Sequence, residues 1–373
     1  MQVTLLQNSL SKAVKTVGKT LQNKPQLPIL SSILLTAKDD QLSLAATDLY
    51  MGIRITLPAQ VKEEGVLAVQ GRVLVEAISS LTGGKITLGV KGDQLEVSSD
   101  TGASFTISGQ AGEEYPDFPE KEGEELVFGA EQFQTIEKSL AFATALDQAR
   151  LTLTTLHLAK IDAGLEVAAT DGFRLAVLNL ESEFNLSTPL LIPAKAMSEV
   201  SRLLDLEGSE DSQVEIMVSD SLKQVFLTTG NTEVFIRLIE GEYPPYQKII
   251  PAAFLTELKL DAAEFLQQLR QASVFARDVS NIVTLKVVGQ ELEINAQGPN
   301  GSYTSTLPVE MIKNDQDQAE ISFNVRYLLE FLQTMKPEKV WFGIQESLKP
   351  AMFKVEGFEN FRYVVMPFRL NQA

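Results

Sequence analysis

The chain states one passage three times, and that constrains its fold more than any other feature. Leu44-Ala-Ala-Thr-Asp48-Leu-Tyr-Met-Gly-Ile53 returns as Val167-Ala-Ala-Thr-Asp171-Gly-Phe-Arg-Leu-Ala176, and more loosely as Ile294-Asn-Ala-Gln-Gly-Pro-Asn-Gly-Ser-Tyr303. A second phrase, Gly112-Glu-Glu-Tyr-Pro116, is echoed by Glu240-Gly-Glu-Tyr-Pro244. A spacing of roughly 120 to 130 residues exceeds solenoid periods and matches the size of a domain. Three copies of one domain imply a modular, symmetric object rather than a single catalytic pocket.

Each copy reads as the same succession of elements. An amphipathic helix opens it, with apolar residues three, four and seven apart on one face. These are Leu10, Val14 and Val17 in the first copy, Phe133, Ile136 and Leu140 in the second, and Phe265, Leu269 and Ala272 in the third. Strands of period two follow, such as Gln41-Leu-Ser-Leu-Ala45 and Gly164-Leu-Glu-Val-Ala168. A second helix is expected over 72–81, 195–204 and 326–335. In the first copy, Lys85-Ile-Thr-Leu88, Gln94-Leu-Glu-Val97 and Ser104-Phe-Thr-Ile107 then form a meander turning at Gly92-Asp93. The result is an α+β chain of three domains, 1–119 (N-terminal), 126–247 (central) and 250–373 (C-terminal). The acidic stretch 120–125 and the proline-bearing stretch 243–251 link them, the latter expected to run extended.

Composition removes whole classes of function. With 373 residues and no cysteine, the chain has no disulfide, thiol nucleophile or cysteine metal site. No apolar run reaches the roughly 20 residues of a membrane helix, and residues 1–24 lack the apolar centre of a signal peptide. A cytoplasmic location is expected. The only histidine, His157, lies in a strand pattern, and there is no G-x-x-x-x-G-K-[ST] loop. Asp48 and Asp171 recur at matching positions and could pair as hydrolase carboxylates. At a turn after Ala-Ala-Thr, however, aspartate ordinarily accepts local backbone hydrogen bonds. No catalytic residue and no cofactor are expected.

The net charge of −17 argues against a polyanion partner, but its distribution does not. Residues 1–38 hold no acidic side chain and five lysines: Lys12, Lys15, Lys19, Lys24 and Lys38. The second helix of every copy opens beside a cation: Gly71-Arg72, Ala194-Lys195 and Val325-Arg326. Cations are mildly unfavourable at a helix amino terminus. An external anion there accounts for three of them, because backbone amides beside a basic side chain suit phosphate.

These residues resemble the beta sliding clamp family of bacterial DNA polymerase III. The resemblance rests on Pro25-Gln-Leu-Pro-Ile-Leu30, Ala168-Ala-Thr-Asp-Gly-Phe-Arg-Leu-Ala176, Phe323-Asn-Val-Arg-Tyr327 and Tyr363-Val-Val-Met-Pro-Phe-Arg-Leu370, in this order and spacing across the chain. It implies three DNA-clamp domains per chain in a ring-shaped processivity factor. Helices line the ring and antiparallel sheets lie outside. Such a clamp encircles duplex DNA and tethers the replicative polymerase and repair proteins during DNA replication. It would be a subunit of the DNA-directed DNA polymerase holoenzyme with no activity of its own, loaded by a separate ATPase. A head-to-tail homodimer is implied by the family; sequence alone accommodates a trimer as well. The rivals are a three-domain hydrolase and a structural repeat protein without a DNA role.

The resemblance also implies sites. Lys24, Arg72, Lys195 and Arg202 match positions that approach duplex phosphates, with Lys12 and Lys15 adding to the same surface, in contacts independent of sequence. Leu151-Thr152 stands where the best-known member has two tyrosines in a DNA-facing loop. Phe105 and Ile107 would face Val274 and Phe275 of the partner copy, and Gly298–Gly301 lacks the acidic residues found there in that member. An apolar groove for short hydrophobic peptides of the polymerase, the clamp loader and repair proteins would be built from Leu153, Thr170, Gly172, Phe173, Arg174, Leu175, Pro244, Lys248, Ile249, Asn324, Tyr327, Leu348 and the tail Val364, Val365, Met366, Pro367, Phe368, Arg369 and Leu370. Phe173 replaces a histidine of that member and Pro350 a serine, which bears on peptide preference.

Overall fold

The computed structural model describes residues 1–25, 27–181, 186–207, 213–219, 221, 223–278, 280–316 and 318–369. Each repeat contributes two helices: α1 (Gln7–Val17) and α2 (Gly71–Ser80), α3 (Ala130–Leu140) and α4 (Ala194–Glu207), α5 (Ala262–Ala276) and α6 (Val325–Met335). The residues that set the helical period are the ones the first helix of each pair buries, from Leu10, Val14 and Val17 to Phe265, Leu269 and Ala272. The expected meander is present as Lys85–Lys91, Gln94–Ser99 and Ser104–Ala111, with Gly92 in the left-handed region at its turn. No helix among the described residues is long and apolar enough to cross a membrane.

By compactness the chain divides into two units, Met1–Phe133 with Glu199–Leu238, and Gln134–Ser198 with Ile239–Ala373. The middle repeat is shared between them because its two half-sheets each fuse with a neighbour. In the first unit, Thr232–Arg237 pairs antiparallel with Met51–Pro58, with Phe235 opposite Gly52, inside a thirteen-stranded sheet. In the second, Arg174–Glu181 pairs with Phe358–Val365, with Leu175 opposite Val364, inside a nine-stranded sheet. A separate four-stranded sheet runs Gly301–Pro308, Glu291–Gly298, Ile282–Val288, Ala319–Asn324. All the pairings in these sheets that join the repeats are antiparallel, so each boundary is a ladder of backbone hydrogen bonds.

The two repeated phrases meet. In the first unit the Thr47 N–H donates to the Tyr115 hydroxyl at 3.1 Å; in the second the Thr170 N–H donates to the Tyr243 hydroxyl at 3.1 Å. Beyond each threonine the aspartate closes the turn as expected. Asp48 Oδ1 accepts from the amides of Tyr50 (3.0 Å) and Met51 (2.7 Å), and Asp171 Oδ1 from those of Phe173 (2.9 Å) and Arg174 (3.1 Å). The carboxylates are spent on backbone amides, as structural aspartates are, which counts against the hydrolase reading. Burial pushes the Tyr115 hydroxyl up to about 12, while its bond to Thr47 opposes the shift.

The 243–251 linker departs from the extended path expected of its prolines. Tyr246–Ile249 form a 3₁₀ turn because the Tyr246 ring is buried against Ala168, Leu175, Val177, Met352 and Val364, and reaching them requires the chain to curl. His157 does lie in a strand, Thr155–Ile161. Its ring stacks on Tyr243 (centroids 4.7 Å apart, 15° between planes) and meets Tyr246 edge-on at 5.7 Å. The Tyr246 hydroxyl donates to Glu166 Oε1 at 2.7 Å, and Arg362 reaches Glu166 Oε2 at 3.3 Å. Burial lowers the His157 pKa, with the Glu166 charge opposing.

Two outcomes are expected from these contacts. Tyr115→Phe and Tyr243→Phe should each cost about 1 kcal/mol in denaturant unfolding, since each leaves a buried threonine amide unpaired. The two losses should add, because the locks share no partner. Unchanged midpoints in both variants would show that the hydroxyls carry no stability. Further, the folded His157 binds a proton less readily than the unfolded chain does, whose value lies near 6.5. Its contribution is therefore present above that pH and lost as pH falls through it. His157→Gln should then flatten the stability decline between pH 7.5 and 5, measured by denaturant titration; parallel curves would exclude His157 as the cause.

Candidate DNA and partner interfaces

The cations come from helix termini and from one lysine-rich face. Lys12 and Lys15 are exposed on α1, away from Leu10, Val14 and Val17, and Lys24 is exposed in the loop that follows. Arg72, Lys195 and Arg326 are the second residues of α2, α4 and α6, and all three are exposed. None of α1, α2, α4 and α6 has an acidic residue in its first turn, whereas α3 has Glu131 and α5 has Glu264. The helices with a cation at their start thus keep the positive end of the backbone dipole unopposed. Arg202 differs, because Glu199 on its own helix holds it at 2.5 Å and also lies 3.8 Å from Lys19. That triad escaped sequence reasoning; only the three-residue spacing of Arg202 from Glu199 on one helix hinted at its nearer pair.

The 170–175 turn and the tail form one assembly in the second unit. Arg174 opens its strand and is buried. Its Nε lies 3.0 Å from Asp171 Oδ2, its guanidinium 2.5 Å from Glu330 on α6, and its plane covers Tyr327 at 4.8 Å and Phe142 at 5.7 Å. Burial works against this charge, but Tyr363, Glu330 and Asp171 together raise its pKa, so it stays charged. The Met366 N–H donates to the Phe173 carbonyl at 2.8 Å, and the Phe368 N–H to the Ser322 carbonyl at 2.7 Å. The Tyr363 hydroxyl donates to the Tyr327 carbonyl at 3.0 Å. Phe173 itself is exposed, roughly parallel to the Tyr327 ring at 6.5 Å.

Residues expected in the groove therefore fall into two kinds. Leu153, Thr170, Arg174, Leu175, Val364 and Val365 are buried and form the frame beneath, and Leu175, Val364 and Ile249 share one apolar cluster with Tyr243, Tyr246 and Trp341. Gly172, Phe173, Phe368 and Arg369 are exposed, as are Pro244 and Lys248 on the linker and Leu348 in the loop after Lys339–Ile344. Ile249, Tyr327, Met366 and Pro367 are half-buried, and half-buried Asn324 caps α6 by accepting from the Arg326 amide at 3.1 Å. Leu370 lies outside the described residues. Glu330, Phe142 and Arg150, whose guanidinium donates to the Asp171 carbonyl at 3.0 Å, were not anticipated. A buried arginine in a strand was the available signal, because it demands carboxylate partners.

Of the residues expected at a seam between copies, Val274 is half exposed and Phe105 and Phe275 are partly so, while Ile107 is buried under its own sheet. Phe275 stacks on Tyr303 at 6.1 Å, and a cavity of about 390 Å³ lies between Val274, Phe275 and Gly298–Gly301.

Comparison with known proteins follows the same lines. Family models for the DNA polymerase III beta subunit match the chain three times, the N-terminal domain over residues 1–119, the central domain over 129–245 and the C-terminal domain over 247–369. The chain is similar to the beta sliding clamp of Synechocystis sp., 27% identical over 395 residues that cover 99% of this chain and 100% of the relative. It is 28% identical over 382 residues to the beta sliding clamp of Synechococcus elongatus, again covering 99% and 100%. Among solved structures it is similar to the DNA polymerase III subunit beta from Pseudomonas aeruginosa, with a TM-score of 0.91 and 26% identity across 99% of this chain and 100% of that one. With three domain models in tandem over its length and the threefold plan in its own residues, the chain belongs to the DNA polymerase III beta subunit family.

Proposed function

We propose that the chain is a DNA sliding clamp that holds duplex DNA through exposed helix-terminal cations and takes up partner peptides at the 170–175 turn and the tail. Family membership makes it a processivity factor of the DNA polymerase III holoenzyme, a ring that tethers the polymerase to DNA and performs no chemistry itself. The observation that carries the DNA reading is the exposed cation at the second position of α2, α4 and α6, each on a helix with no acidic residue in its first turn. Lys12, Lys15, Lys24, Arg72 and Lys195 would meet phosphates, and Arg202 would do so once it exchanges Glu199 for an anion. Such contacts weaken steeply with salt and read no bases, as a sliding protein requires.

A homodimer is supported by two strand edges. Residues 104–108 pair only with Gln94–Ser99, and Gly301–Pro308 pairs only with Glu291–Gly298, so among the described residues each leaves one side unpaired. Neither edge carries a charge, although charged side chains usually protect such edges from pairing. Two copies joined head to tail along these edges, with Phe105 meeting Val274 and Phe275, would satisfy both and close a ring.

For the partner site, exposed Phe173 and Phe368 on a buried frame supply apolar anchors, and Lys248 and Arg369 add positive charge beside them. Short hydrophobic peptides of the polymerase, the clamp loader and repair proteins are the occupants that fit.

A loaded clamp should stay on circular DNA at high salt and leave once the circle is cut. Gel filtration of the purified dimer with a nicked plasmid and a clamp loader measures this, and equal release from both forms would overturn the encircling reading. Ending the chain after Met366 should abolish stimulation of the polymerase while leaving dimerisation intact, measured by primer extension and sedimentation. A variant that fails to fold would place the tail in the core instead.

A further inference from the structure

The first repeat boundary repeats the architecture beneath the partner groove, and it encloses a cavity. Within the first unit the strand Thr232–Arg237 lies on Met51–Pro58 as, within the second, Phe358–Val365 lies on Arg174–Glu181. The turns are pinned at corresponding points: the Arg237 N–H donates to the Tyr50 carbonyl at 2.8 Å, as the Met366 N–H does to Phe173. Register then transfers residue by residue. Phe235 sits opposite Gly52 where Val364 sits opposite Leu175. Phe226 sits opposite Phe235 where Met352 sits opposite Val364. Phe118 follows the locking Tyr115 by the same interval at which Tyr246 follows Tyr243.

Leu175, Val364, Met352 and Tyr246 form the apolar cluster under the groove. Their counterparts Phe118, Phe226 and Phe235 line a cavity of about 380 Å³. Its remaining wall is charged. Arg54 lies 3.3 Å and Lys121 2.6 Å from Glu233, and the Arg54 guanidinium covers the Phe118 ring at 4.5 Å, with Glu120 at the rim. Two cations share the one carboxylate of Glu233, which leaves both with donors to spare. Beside this boundary the turn shows Leu49 and Tyr50 to solvent, and Leu49 is held at φ 73° where the groove's turn has Gly172. An exposed leucine in a left-handed conformation is a strained arrangement of the kind that collects at binding sites.

We propose that this cavity is a second docking site for an extended peptide, one that offers an apolar or aromatic side chain to Phe118, Phe226 and Phe235 and a carboxylate to Arg54 and Lys121. The proposal rests on the reading of the 170–175 turn and tail as a peptide groove, from which it takes its occupant by structural correspondence. The charged wall distinguishes the two: at the position of Val177 the second site has Arg54, so it should demand an acidic residue more strictly.

The test is a calorimetric titration of the whole protein with one probe, a hexapeptide holding two leucines, a phenylalanine and an aspartate. The wild type is expected to take two peptides per chain, Phe173→Asp one, Arg54→Glu one, and the combined variant none. Circular dichroism checks each fold, and if Arg54→Glu proves unstable, Lys121→Glu reads the same loss from outside the strand ladder. One peptide per chain, lost in Phe173→Asp and kept in both Arg54→Glu and Lys121→Glu, overturns the second site and leaves the groove standing. One peptide lost in Arg54→Glu and kept in Phe173→Asp supports the second site and removes the groove. No binding to the wild type overturns both.

Discussion

A tyrosine hydroxyl accepting one threonine amide is the contact on which the recurring architecture depends. In each of the first two repeats the lock ties the end of the domain to a turn some seventy residues earlier in the chain. The turn cannot satisfy that amide itself, because the Thr47 and Thr170 hydroxyls are already engaged with Leu49 and Met51 in one case and with Gly172 and Arg174 in the other. Once the amide is taken up, the next strand leaves the turn in a fixed direction. That direction lets Met51–Pro58 and Arg174–Glu181 each receive a strand from the following repeat. Among the described residues the third copy shows no such tyrosine lock. Its hairpin instead packs Gly298 so closely against the Phe275 carbonyl that a side chain would not fit.

Burial of charge distinguishes the two boundaries. At the second, Arg174 lies under Tyr327 and Phe142 between two carboxylates, so one cation fixes the turn, α6 and the last strand together. At the first, the position of Arg174 is taken by Met51, and the charges sit three residues further on and only partly buried, where Arg54 and Lys121 meet Glu233. Removing a partner from a buried pair is far more costly than doing so at the surface. Loss of one partner is therefore expected to cost more at the second boundary than at the first.

Much of this was legible in the sequence, and what was not has a common cause. The helical faces followed from spacing alone, since Phe133, Ile136 and Leu140 can share a face in no other way. The aspartate turns followed from local chemistry. Both repeated phrases were visible, but the hydrogen bond between them was not, because it joins segments far apart in sequence. The same holds for Glu330 as the partner of Arg174, and for the fusion of half-sheets across repeats. Tyr246 was masked by its prolines: they suggested an extended linker, while the driving force was an aromatic ring that had to be buried.

The sharing of the middle repeat between two compact units has a mechanical consequence. A protease cut in the acidic stretch 120–125 would sever the polypeptide between the first two repeats without separating them. The ladder of Thr232–Arg237 on Met51–Pro58 spans that cut, as do the Arg54–Glu233 pair and the Arg237–Tyr50 hydrogen bond. The covalent joint and the structural joint lie in different places. A nick in this chain would leave its fragments paired across the ladder, and the compact unit is not the piece that the sequence repeats.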